Sequence, residues 1–206
     1  MVTIIDYDVG NIGSIKNILH RVGADKVVVS RKRDDILEAD RIVLPGVGAY
    51  DYGMQKLYDC GIKDTLDEAV LMRKIPILGI CLGMQLLGES SAEGTMKGLS
   101  YIPFHCERFD STQDLKVPHM GWDRVELTDN YSPLTADLDE DLRFYFVHSY
   151  YAICDKLENV IMNCEYGVRF AAAVQKDNVF GVQFHPEKSH QFGMGLFRRF
   201  MEIKRD

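Results

Sequence analysis

A cysteine at 81 and a histidine–glutamate pair at 185 and 187 are the residues of this 206-residue chain best suited to covalent chemistry. Residues 75–90 read I-P-I-L-G-I-C-L-G-M-Q-L-L-G-E-S. The apolar run 75–80 predicts a strand that stops at Cys81, and 84–87 open a helix directly afterwards. Gly79 and Gly83 bracket the thiol as G-x-C-x-G, the spacing of a hydrolase nucleophile elbow with cysteine in place of serine. So sharp a turn brings neighbouring backbone close, which residues without a side chain permit. A thiol at a helix N-terminus lies at the positive end of the peptide dipoles, which favours thiolate. The backbone N–H of Leu82 then points where an oxyanion would form. The competing reading is packing, because free cysteine is among the most buried residue types.

Residues 183–189 read Q-F-H-P-E-K-S and follow a strand candidate at 179–184. In extended backbone, positions i and i+2 share a side, so His185 and Glu187 are expected to project together, with Pro186 keeping the stretch extended. A carboxylate beside an imidazole fixes its tautomer and raises its basicity, as the general base of a thiol nucleophile requires. Taken alone, H-P-E is more simply a surface loop. Cys81, His185 and Glu187 nevertheless all fall just past predicted strand ends, the edge where open α/β sheets build their sites. The loop P-G-V-G at 45–48 is placed in the same way after a strand at 41–44, and its Gly46, Val47 and Gly48 amides are candidates for a second oxyanion donor; a plain turn is the alternative. Without G-x-G-x-x-G or G-K-[ST], dinucleotide and P-loop readings fall away. His148, in F-Y-F-V-H-S-Y at 144–150, is a rival base that has no carboxylate two residues on.

The elements that must position these groups alternate through the first half. Strands are predicted at 2–7, 26–30, 41–44 and 75–80, with helices at 12–22, 34–39, 54–58 and 62–72 between them, a pattern of parallel βα units. Beyond Gly98 the chain turns mainly β, with strand candidates at 101–109, 122–127, 144–149, 160–166, 170–175 and 179–184, before an amphipathic helix at 191–204. The expected fold is therefore α/β: one open, twisted, mostly parallel sheet flanked by helices, with antiparallel strands added in the second half. No linker or repeat interrupts it, so residues 1–206 are expected to form a single domain.

A hydrophobic fraction of 46% and a charged fraction of 27% are those of an ordinary globular protein, and a net charge of −7 argues against nucleic acid as a partner. The basic run 31–33 is followed at once by Asp34 and Asp35 and reads as a solvated loop. Five scattered cysteines (60, 81, 106, 154, 164) contain no C-x-x-C and imply neither a disulfide framework nor a zinc site. Met1 leads straight into V-T-I-I-D, and no apolar run reaches membrane-spanning length, so a cytoplasmic protein with no membrane contact is expected.

On these residues the chain resembles the class I (triad) glutamine amidotransferases: G-I-C-L-G-M-Q at 79–85, H-P-E at 185–187 and P-G-V-G at 45–48. Within that class, P-H-M-G-W at 118–122, F-Y-F-V-H-S-Y at 144–150 and H-P-E-K-S at 185–189 are similar to the glutaminase subunits of imidazole glycerol phosphate synthases, and the likeness runs from D-Y-D-V-G-N at 6–11 to the last helix. Two positions depart from the family pattern: Asp123 stands where asparagine is usual, and Tyr50 where phenylalanine is commoner. The resemblance implies a Cys81–His185–Glu187 triad that hydrolyses glutamine through a thioester. The oxyanion would be held by Leu82 and the 46–48 loop, and Gln85 would be a glutamine-binding position. His148, Ser149 and Tyr150 complete the candidate substrate-binding set. The resemblance further implies no metal or organic cofactor for the glutaminase half, and transfer of ammonia to a (β/α)8 cyclase subunit in a heterodimer serving histidine biosynthesis. Asn11, Trp122 and Lys188 are candidates for that interface. The rival readings are the same glutaminase feeding an enzyme of nucleotide-linked sugars, a stand-alone cysteine hydrolase, and a non-catalytic flavodoxin-like module.

Overall fold

A computed structural model describes residues 1–110, 115–138 and 141–205 of the chain. The first half gives β1 (Val2–Ile5), α1 (Ile12–Arg21), β2 (Val27–Ser30), α2 (Arg33–Leu37), β3 (Arg41–Leu44), α3 (Tyr50–Asp59), α4 (Lys63–Asp67), β4 (Ile77–Ile80) and α5 (Leu82–Leu86). α4 runs on into a π-helical turn, Glu68–Met72. The second half gives β5 (Ser90–Ser91), β6 (Phe104–Arg108), β7 (His119–Leu127), β8 (Leu142–His148), β9 (Tyr150–Cys154), β10 (Val160–Tyr166), β11 (Val168–Lys176), β12 (Val179–Val182) and α6 (His190–Glu202). β9 had no counterpart in the sequence pattern. Its pairings are with β6 and β11, distant in the chain, and local periodicity carries no trace of them.

The main path of the sheet runs β2-β1-β3-β4-β12-β11-β10-β7-β8. β1, β2, β3, β4 and β12 pair in parallel, and β12 then turns the sheet antiparallel through β11. The last strand of the chain thus lies beside the fourth, with Val182 opposite Ile80. That register joins residues a hundred positions apart in sequence, and it is sealed where the Cys81 N–H donates to the Val182 carbonyl at 2.8 Å.

Each face of the sheet buries its own core. On one face Ile5, Leu44 and Ile77 pack with Met54 and Leu57 of α3 and Leu66 of α4. On the other, Ile4, Val43, Leu78 and Phe180 pack with Ile15 and Leu19 of α1 and Leu196, Phe197 and Phe200 of α6. Full burial of such side chains contributes about 1.5–3 kcal/mol each. Near-continuous apolar strands are what a sheet covered on both faces requires. Among the described residues no helix is long and apolar enough to cross a membrane.

Candidate active site

The sharpest feature of the site is the backbone of Cys81. Its φ of 54° and ψ of −111° lie outside the regions that L-residues ordinarily occupy. β4 ends immediately before it and α5 begins immediately after, so the strand-turn-helix expectation holds, with the helix starting two residues earlier than the pattern suggested. Interlocked backbone fixes the turn. A Cβ on Gly83 would lie 2.0 Å from the Leu44 carbonyl oxygen, and one on Gly46 would lie 2.2 Å from the Gly83 amide. The P-G-V-G loop is therefore seated directly on the elbow. The buried Tyr7 hydroxyl donates to the Pro45 carbonyl and secures the loop's first residue.

From the neighbouring strand, alternation sends Phe184 one way and Gln183 and His185 the other. Phe184 stacks on Phe144 with ring centroids 3.8 Å apart, inside the α6-side core. His185 is held at both ends: its N–H donates to the Tyr145 carbonyl at 2.8 Å, and its carbonyl accepts from Ser189 Oγ at 2.7 Å. Ser189 Oγ in turn accepts from the Tyr145 amide at 3.0 Å, which gives the serine of H-P-E-K-S a structural task.

Glu187 meets His185 as expected, Oε1 to Nδ1 at 2.9 Å, with both side chains buried. The route differs from the extended stretch foreseen. Pro186–Lys188 is a single 3₁₀ turn with proline at its start, where a missing N–H and a fixed φ are tolerated. The turn folds the carboxylate back onto the imidazole. Asn11 Nδ2 also reaches Glu187 Oε1, at 3.5 Å, so this candidate interface residue touches the carboxylate of the pair. With Nδ1 engaged, the buried Nε2 of His185, which has no hydrogen-bond partner of normal geometry among the described residues, is the nitrogen left for exchange with the thiol. Burial works against a charged imidazole here. Interactions with Cys81 and Glu187 outweigh it and hold the His185 pKa up to about 10.

Cys81 and His185 open into a cavity of about 330 Å³ lined also by Val47, Gly48, Leu82, Gln85, His148, Ser149 and Tyr150. All the candidate oxyanion and substrate-binding residues except Gly46, which lies beneath the elbow, thus reach one cavity. Gln85 is buried and donates from Nε2 to the Tyr150 carbonyl at 3.1 Å and to Gln183 Oε1 at 3.0 Å. Gln183 Nε2 then reaches Cys81 Sγ at 3.8 Å. Sequence reasoning gave Gln183 no role, although it stands two residues before His185 in the same strand and period-two spacing could have found it.

His148 cannot serve as the base that its strand-end position allowed. Its Nδ1 is committed to the Tyr150 carbonyl at 2.8 Å and its Nε2 to His119 Nδ1 at 3.1 Å. Burial lowers its pKa to about 3. Trp122 and Lys188 lie away from the cavity. Trp122 is half exposed and stacks on His190 at 5.5 Å, while Lys188 Nζ sits 5.6 Å from the centre of the Tyr145 ring.

A buried thiol on a strained turn, an imidazole beside it, a carboxylate bonded to that imidazole and amides at a helix start are together suited to acyl transfer through a thioester. Comparison with known proteins agrees. The family model for glutamine amidotransferase class-I matches residues 3–203. Imidazole glycerol phosphate synthase subunit HisH 2 of Pseudomonas aeruginosa is 49% identical over 203 residues, covering 98% of this chain and all of that one. The subunit of the same name from Methanococcus maripaludis is 47% identical, covering 98% and 99% of the two chains. Among solved structures, the glutaminase domain of Trypanosoma brucei CTPS with bound acivicin superposes with a TM-score of 0.69 at 16% identity, covering 97% of this chain and 91% of that one. PurLQS from Thermotoga maritima does so at 0.67 and 21% identity, covering 97% and 96%. The structural likenesses speak for the fold alone.

Proposed function

The chain belongs to the class-I glutamine amidotransferases and, within them, to the HisH subunits of imidazole glycerol phosphate synthase, and from that premise we propose how its residues carry out the glutaminase reaction. Cys81 Sγ adds to the side-chain carboxamide carbon of glutamine after its proton passes to His185 Nε2. The tetrahedral oxyanion is received by the Leu82 amide and the 46–48 loop. His185 returns the proton to the departing nitrogen, ammonia leaves, and a thioester remains. His185 then deprotonates water, which attacks the thioester and releases glutamate and the free thiol. Glu187 accepts from Nδ1–H throughout and keeps Nε2 aimed at the reacting atoms. Gln85, Ser149 and Tyr150 line the pocket for the amino-acid end of the substrate.

The single observation that carries this reading is the joining of a strained Cys81 with a buried His185–Glu187 pair in one cavity. The names of the relatives support imidazole glycerol phosphate synthesis as the destination of the ammonia. On this reading residues 1–206 act as one cytoplasmic domain, paired as a heterodimer with a (β/α)8 cyclase. Ammonia passes by an internal channel to a lyase reaction that yields imidazole glycerol phosphate and an aminoimidazole carboxamide ribotide. Trp122, Lys188 and Asn11 face that partner. The test is glutamate release from glutamine by the chain mixed with the cyclase and its ribotide substrate. Wild type is expected to turn over and Cys81→Ala to form no glutamate; turnover by Cys81→Ala at the wild-type rate would overturn the triad.

A further inference from the structure

Beneath the glutamine pocket runs a chain of side chains that the triad does not use. Asp123 Oδ2 meets His119 Nε2 at 3.2 Å, His119 Nδ1 meets His148 Nε2 at 3.1 Å, and His148 Nδ1 meets the Tyr150 carbonyl at 2.8 Å. The architecture sets these contacts. His119 and His148 are directly opposed in the β7–β8 pair, and Asp123 lies on the same face of β7 as His119 with Gly121 between them. We propose that Asp123 is a positioning residue for the glutamine pocket, acting through His119 and His148 on the Tyr150 carbonyl, and that the chain is complete only while it holds one extra proton. The pocket role rests on the glutaminase reading above; the proton count does not.

The count follows from donors and acceptors. A carbonyl only accepts, so His148 Nδ1 must carry hydrogen, and a neutral His148 then accepts at Nε2. His119 must therefore donate from Nδ1. Its Nε2 faces a carboxylate, also an acceptor, and must carry hydrogen too. All three links are satisfied together only when His119 is an imidazolium, or when Asp123 holds the same proton. When that proton leaves, one link must fail. A carboxylate beside an unprotonated nitrogen is the costlier failure, whereas the Tyr150 carbonyl keeps a second donor in Gln85 Nε2. The proton on His119 Nδ1 therefore moves to His148 Nε2, and the proton on His148 Nδ1 is the one released. The defect then lies at Tyr150, on the wall of the pocket and at the anchor of Gln85.

The surroundings admit both states. His119 is sandwiched between Tyr166, at 3.9 Å, and Phe146, at 4.7 Å, faces that favour a cation. Burial pushes the other way and keeps the His119 pKa below its ordinary value, although Asp123 opposes that lowering. Among the described residues, Cys164 and Glu165 of β10, Arg124 and Glu126 of β7, and Arg169 of β11 share a cavity with Asp123. Arg169 and Glu126 pair with each other at 3.0 Å, and the Arg124 amide donates to Asp123 Oδ1 at 2.8 Å. On the far side, the positive charge of His185 adds to the forces keeping His148 neutral.

Asparagine at 123 removes the requirement, because its Nδ2 donates to an unprotonated His119 Nε2 and the rest of the chain follows without an extra proton. Two measurements test this. The first is nitrogen NMR of the imidazoles in the full chain between about pH 5 and about pH 9, the range in which histidines titrate. In wild type, His148 is expected to move its hydrogen from Nδ1 to Nε2 as the pH rises. In Asp123→Asn it should stay on Nδ1 throughout. The second is the glutamine dissociation constant of the Cys81→Ala protein over the same range, which removes turnover. It is expected to rise about two- to tenfold across the tautomer change, the worth of one neutral hydrogen bond, and to stay flat with Asp123→Asn added. A His148 that keeps its Nδ1 hydrogen in wild type, or equal pH dependence in both proteins, would overturn the proposal. Failure to bind glutamine at any pH would count instead against the glutaminase reading, and the NMR titration would still decide the proton count.

Discussion

Cys81 holds a conformation that packing alone would not demand. A residue in so sparsely populated a region costs on the order of 1–3 kcal/mol, and Cys60, Cys106, Cys154 and Cys164, packed elsewhere, all keep negative φ. Burial raises the pKa of Cys106 and brings Cys154 and Cys164 up to about 12, so those thiols stay protonated and poorly nucleophilic. An electrophilic glutamine analogue is therefore expected to modify Cys81 and no other cysteine, as peptide mapping would read. His185→Asn should lower glutamate formation by about 10²–10⁴-fold, the range of a lost general base. Glu187→Gln should cost less, since an amide oxygen still accepts from Nδ1–H. A His148→Asn protein more impaired than His185→Asn would force the two histidines to exchange roles. His148 also marks the acid side of stability. Its folded pKa of about 3 lies below the ordinary value of 6.5, so below pH 6.5 the unfolded chain takes up a proton that the folded one refuses. Stability is thus expected to fall between about pH 6.5 and about pH 3, by at most about 1.4 kcal/mol per pH unit from this group. Urea titrations at pH 7 and pH 5 would register the loss, and His148→Asn should flatten it.

At the scale of elements, the site depends on which strand ends meet and on what braces them. α6 packs its N-terminal turn against the 3₁₀ turn that carries Glu187, and a Cβ on Gly193 would lie 1.8 Å from the Pro186 carbonyl oxygen. Gly193→Ala is therefore expected to displace that turn and cut glutamate formation at least about tenfold, because general base catalysis needs its carboxylate and imidazole within hydrogen-bond reach. Steady-state assays beside circular dichroism would separate this from global unfolding, which should leave no helical signal. How much of this was legible in the sequence follows from what local pattern can encode. β3 and β10 fall on the residues that their apolar runs outlined, and Cys81 stands at the strand end where the glycines placed it. The position of β12 between β4 and β11 is a long-range pairing, and sequence periodicity is silent about it. The same holds for β9, which pairs with β6 and β11, and for the His119–His148 contact, which exists only because β7 and β8 pair in one register. Glu187 reached its histidine by a tight turn in place of the expected extended backbone, since the short reach from i to i+2 is met by either geometry.

For the whole molecule, the decisive question is what keeps a glutaminase from spending glutamine when no acceptor is present. Ammonia set free in water is protonated and lost to the acceptor, so hydrolysis is useful only with a docked and occupied partner. The fold contains a loop suited to that control. Pro45 is fastened through Tyr7 and Gly46 is wedged on the elbow, but Val47 is 43% exposed and Gly48, at φ of 96°, has none of the described residues beyond its chain neighbours within 4 Å of where a Cβ would stand. One end of this loop, the proposed second oxyanion donor, is therefore fixed and the other can turn its peptide plane at little steric cost. An oxyanion hole short of one donor loses about 10²–10³ in rate, so one misdirected amide suffices for an off state. The 3₁₀ turn that carries Glu187 also carries Lys188, whose ammonium lies over Tyr145, and Tyr145 packs edge-on to the half-exposed Trp122. A partner covering Trp122 and Lys188 would thus press on the same turn that orients the base. The isolated chain is expected to release little glutamate, and the cyclase with its ribotide ligand to raise the rate by about 10²–10³. Lys188→Ala should weaken that stimulation more than it weakens glutamine binding, as kcat and KM measured with and without the cyclase would show. Full activity in the isolated chain would instead identify a hydrolase that needs no acceptor.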